Sequence, residues 1–62
     1  MDKEKLKIRL DMINQQIKIY KENAIEWLEK EEMIPAVGDV LLMRDLKEQQ
    51  RLIKMLLGSE GN

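Results

Sequence analysis

Glu22, Glu26 and Glu29 recur at intervals of four and three, so they share one face of any helix that carries them. They are the nearest thing in this sequence to a reactive constellation, because hard cations take oxygen ligands of this kind. Carboxylate bundles that hold redox metals add a Glu-x-x-His pair, and this chain has no histidine. Glu26 also has Lys30 four residues on, an ordinary helix-surface ion pair. The glutamates are therefore read as a solvated face.

Hydroxyl chemistry is thinner still. Ser59 and Tyr20 stand without a histidine or a suitably spaced lysine beside them, and there is no cysteine. The missing thiols and imidazoles also exclude a disulfide scaffold and Cys/His zinc sites. Three separated glycines make no phosphate-cradling loop. No catalytic residue, metal ligand or cofactor is assigned, and the chain is expected not to be an enzyme.

Cations offer a different chemistry. Residues 1–21 carry a net +3, residues 22–39 a net −5 and residues 40–62 a net +1, which returns the chain total of −1. If the chain folds back on itself, Lys3, Lys5, Lys7, Arg9, Arg51 and Lys54 gather at one end. Glu22, Glu26, Glu29, Glu31, Glu32 and Asp39 gather at the other. Lys3/Lys7 and Lys5/Arg9 are like-charge i,i+4 pairs, and a basic first turn opposes the helix dipole. Such an end suits an acidic surface, whether on a protein or on nucleic acid. The sequence pI of about 5.4 and the lack of a continuous basic stripe weigh against nucleic acid.

The elements that must position these groups follow from the apolar pattern. Leu6, Leu10, Ile13, Ile17, Tyr20, Ala24 and Trp27 keep a 4-3-4-3-4-3 spacing, a heptad seam. Ile8, Met12 and Ile19 form a second, smaller stripe about 135° away. Pro35 disfavours a helical Ile34, Asp39 is the candidate N-cap of a second helix, and Gly58 sits where a C′ glycine belongs. These signals predict a helix over about 3–33, a loop over 34–38, a helix over about 40–57 and a flexible tail over 58–62. The expected fold is all-α, a two-helix antiparallel hairpin forming a single domain over 1–57.

On the second helix Leu42, Leu46, Ile53, Leu56 and Leu57 make the main face. Leu41, Leu52 and Met55 extend it to one side, Gln49 projects into it and Gln50 lies on its edge. That arc spans about 200°, twice what one neighbour covers. On these boundaries the first helix is about 46 Å long and the second about 27 Å, so Leu6, Leu10 and Ile13 overhang. Trp27 is expected to close the seam near the loop, and the methionines to fill the core.

Two helices make a poor core at this size, and neither disulfide nor metal is at hand. Self-association into a dimeric four-helix bundle is the expected remedy, through Leu6, Leu10, Ile13, Ile17, Leu42, Leu46, Ile53 and Leu57. A heteromeric partner could supply the missing helices instead. Ile8, Met12, Ile19, Leu41, Leu52 and Met55 are the candidate partner surface. Lys3, Lys5, Lys7, Arg9, Arg51 and Lys54 are the candidate contact for an acidic protein or nucleic acid. The longest apolar run, Val40 to Met43, is too short to span a bilayer, so no membrane segment is expected and the location is read as cytoplasmic. The functional expectation is a small regulatory, adaptor or assembly subunit of bacterial or phage type acting by protein–protein contact. The alternative is a dimeric nucleic-acid-binding regulator that uses the basic end.

Overall fold

The computed structural model describes residues 2–60 as two helices packed against each other, α1 (Lys3–Glu29) and α2 (Met33–Glu60). The pair is a rod of 47 × 15 × 13 Å. α1 begins where the sequence places it. Asp2 is extended (φ −86°, ψ 107°), and its carboxylate accepts from the amides of Glu4 at 2.9 Å and Lys5 at 3.4 Å. That N-cap satisfies two of the four amide donors that a helix start leaves open.

The connection differs from the expected one. It occupies residues 30–32, not 34–38. Glu31 turns the chain with φ 61°, while the Glu31 amide donates to the Leu28 carbonyl at 3.0 Å and the Glu32 amide donates to the Trp27 carbonyl at 2.8 Å. This is a Schellman motif with glutamate in the left-handed position that glycine usually takes. Pro35 is the third residue of α2, inside the first turn, where a missing amide hydrogen costs nothing. Asp39 is the seventh residue of α2 and does not cap it. Gly38 and Gly58 are helical, neither has a positive φ, and α2 continues past Gly58 to Glu60. Of the expected tail, Gly61 and Asn62 lie outside the described residues.

These shifts lengthen α2 to 28 residues against 27 for α1, so the helices end nearly flush. The overhang at Leu6, Leu10 and Ile13 therefore does not exist. Ile13 is 3% exposed within the single hairpin, and Leu6 and Leu10 are half-buried. The α1 seam is the predicted one, with Ile17 and Tyr20 half-buried, Ala24 buried and Trp27 at its rim.

The α2 seam is not the leucine face. Its inward residues are Ala36, Asp39, Met43, Leu46, Gln50, Ile53 and Leu57, a 3-4-3-4-3-4 heptad that begins in the segment expected to be loop. Leu42 and Leu56 are exposed. Gln50, not Gln49, points inward. Its Nε2 donates to Oδ1 of Asn14 at 2.6 Å, a side-chain hydrogen bond between the two helices. That bond fixes the antiparallel register: one heptad in either direction brings Lys7 level with Leu57 and Lys21 level with Met43.

Candidate interaction surfaces

The hairpin buries little. Among the described residues Ile13, Ala24, Ala36 and Ile53 are buried, whereas fifteen large apolar side chains stand exposed. Contiguous apolar surface on a soluble protein marks an interaction site or an aggregation hazard. Every residue of the candidate partner surface is in that exposed set, including Ile8 at 58% and Met12 at 56%. Of the expected self-association set, Ile13 and Ile53 are buried in the hairpin's own seam, and Leu6, Leu10, Ile17, Leu46 and Leu57 are half-buried there. Leu42 alone of that set faces outward.

Sequence reasoning missed the largest cluster. From Met33 to Met43 the chain has one charged residue, Asp39, in a sequence that is 37% charged as a whole. Because this stretch is helix and not loop, its side chains surround α2 on every side. Met33, Ile34, Val37, Val40, Leu41 and Leu42 are all exposed, with Ile34 at 87%. Ile25 and Leu28 extend the patch onto α1. The signal was available as an eleven-residue window almost free of charge.

Asp39 sits at the centre of this end of the rod. It holds a seam position, its Oδ2 is buried, and that oxygen has no hydrogen-bond partner. A buried acceptor left unpaired costs free energy that folding must find elsewhere. The flanking seam residues Ala24 and Ala36 are small, which lets the two backbones approach closely there.

Antiparallel pairing gives the rod two broad sides. Residues just before each a position of either seam lie on one side, and residues just after each d position lie on the other. The first side gathers Met12, Gln16, Ile19 and Asn23 from α1 with Leu42, Gln49, Leu52 and Leu56 from α2. Apart from Asp45, it is apolar and amide-rich through its middle. The second side is charged over the half nearer the chain ends.

The predicted poles exist, because the helices are antiparallel, but ion pairing is local and weak. Lys7 lies 3.9 Å from Glu4 and Lys30 3.4 Å from Glu26, all well exposed. Exposed pairs of this kind contribute little. Lys30 Nζ also stands 5.5 Å from the centroid of the Trp27 ring, a cation–π contact beside the turn. Arg51 holds both carboxylate oxygens of Glu48 and reaches Met55 Sδ at 3.3 Å. The hydrogen bond and charge of Arg51 hold the Glu48 carboxyl below its ordinary value, and Glu48 raises the Arg51 guanidinium.

Among the described residues no cavity opens in the surface, and no three acidic side chains converge on a common point. No described helix is long and apolar enough to cross a membrane. No family model, no curated protein and no solved structure matches the chain.

Proposed function

We propose that this chain is a non-enzymatic helical hairpin that works by protein–protein contact, as a small regulatory, adaptor or assembly subunit. Its working unit is a dimer of hairpins arranged as an antiparallel four-helix bundle. One observation carries the reading: among the described residues, fifteen large side chains that belong in a core stand exposed around four buried residues. A hairpin of this size gains too little from its own seam to leave them in water, each forfeiting a substantial part of about 1.5–3 kcal/mol.

The second hairpin docks on the side built from Met12, Ile19, Leu42, Leu52 and Leu56. The middle of that side carries few charges, and Gln16, Asn23 and Gln49 can pair across the interface. The half-buried seam residues Leu6, Leu10, Ile17, Leu46 and Leu57 become fully covered once the bundle closes. Ile34, Val37 and Leu41 stay uncovered in this arrangement and offer the contact for a different protein.

Sedimentation equilibrium over a wide concentration range tests the reading. The expected mass is twice 7.4 kDa. Changing Met12 and Leu52 together to Glu should return the monomer with its helix content retained. A wild-type chain that stays at 7.4 kDa at high concentration and is nevertheless fully helical would overturn self-association.

A further inference from the structure

The second broad side of the rod has a chemistry of its own. Lys7 and Lys21 on α1 and Lys47 and Lys54 on α2 each follow a seam d position, so all four flank the same edge of the helix–helix junction. One row further out on the same side come Lys18, Arg44 and Arg51, with Glu4 and Asp11 as the only acids in these rows. Seven cations against Glu4, Asp11 and the Glu48 that Arg51 holds make this side +4, and the chain total of −1 leaves −5 for the rest of the molecule. The net charge conceals a strongly sided protein. All seven cations are exposed.

The band is not the basic end expected from the sequence. Lys7, Arg51 and Lys54 belong to it, but Lys3, Lys5 and Arg9 do not, and Lys18, Lys21, Arg44 and Lys47 join it. From Lys7 to Lys21 it runs about 21 Å along the rod. It is two helices wide and holds no apolar side chain over that length, with Asn14 its only uncharged residue.

We propose that this side binds the phosphate backbone of a double-stranded nucleic acid. Charge complementarity argues for a polyanion, and a duplex presents about one phosphate charge per 1.7 Å of axis, enough to meet every cation of the band. The composition argues for a duplex over a single strand. Stacking platforms need aromatic side chains, and both aromatics lie elsewhere, Tyr20 in the seam and Trp27 beside the turn. It argues against a lipid surface as well. The apolar patch that could enter a bilayer adjoins Glu22, Glu29, Glu31 and Glu32, which repel anionic headgroups. With lysine and arginine the only donors apart from Asn14, binding is independent of base sequence and makes no use of the ribose hydroxyl. The proposal does not require the dimer, since one hairpin carries the whole band and the docking side faces away from it.

Fluorescence anisotropy with a labelled DNA duplex of about two turns, and an RNA duplex of the same sequence, tests the proposal on the intact chain. Both duplexes should bind at about 50 mM salt, and affinity should fall at least about 10²-fold by 200 mM, the loss expected when the four lysines of the inner row each meet a phosphate. The double variant Lys18→Glu, Lys21→Glu should bind at least tenfold more weakly and flatten the salt dependence. Lys3→Glu with Lys5→Glu makes the same change in net charge off the band and should alter affinity less than threefold. Circular dichroism confirms that both variants stay helical. No duplex binding at low salt, equal losses in the two variants, or binding of phosphatidylserine vesicles in place of either duplex would each overturn it.

Discussion

Asp39→Ala is expected to stabilise the hairpin. The carboxylate occupies a seam position with one oxygen buried and unpaired, and removing such a group recovers about 1–3 kcal/mol. Alanine also exceeds aspartate in helix propensity by about half a kcal/mol. Two terms oppose these. Aspartate near a helix start interacts favourably with the dipole, but Asp39 is the seventh residue of α2, beyond the first turn where that effect acts. Alanine leaves a small void, although the neighbouring seam positions are already Ala24 and Ala36, so little packing is lost. The balance favours the variant by about 2 kcal/mol, a rise of roughly 8–15 °C in Tm for a chain of this length. Thermal melts by circular dichroism at pH 7, repeated at several protein concentrations, separate a gain within the hairpin from a gain in assembly. Asp39→Asn should gain less, because an amide in the same place is still short of partners. A lower Tm for Asp39→Ala at every concentration would show that the aspartate is satisfied in solution, and the account of this end of the rod would fail.

Two further outcomes follow from the turn and from the charged pair. Glu31→Gly relieves a left-handed backbone that side chains adopt at a cost of roughly 1–2 kcal/mol, less glycine's greater freedom in the unfolded chain, so urea titration should show a net gain of up to about 1 kcal/mol. The Glu48 carboxyl is held below its ordinary value of 4.5 by Arg51, so the pair favours the folded state above that value. That contribution is lost as pH falls through the lower folded value. An NMR titration should place the Glu48 midpoint below 4.5, and Arg51→Gln should raise it.

Half of this molecule was legible from residue types. The α1 heptad from Leu6 to Trp27 was read residue by residue, and the helix starts at Lys3, about where it was expected. The connection was misplaced because glycine and proline were taken as the only punctuation. Here a glutamate adopts the left-handed turn, while Pro35 starts α2 and Gly38 lies within it. That error carried into the seam. With ten residues of α2 assigned elsewhere, the leucines looked like the inward face. The true seam mixes small and polar residues with apolar ones, and Ala36, Asp39 and Gln50 carry no signal in a count of hydrophobicity. The basic side was invisible for the same reason, since which lysines share a side depends on which residues of α2 face α1.

The three-residue connection also sets an order of assembly. Residues that meet near the turn, such as those around Ala24 and Ala36, are about a dozen positions apart in the chain, whereas Leu6 and Leu57 are separated by nearly the whole of it. Closing the near pairs costs little chain entropy, and each layer formed shortens the effective loop for the next. The hairpin should therefore zip from the turn toward the chain ends, passing the Asn14–Gln50 bond before the last layers close. In the native protein, amide exchange should run the opposite way, fastest around Leu6 and Leu57 and slowest between the turn and that bond. The cationic band straddles this boundary, so a polyanion seated across it would clamp together the end of the rod that opens most readily.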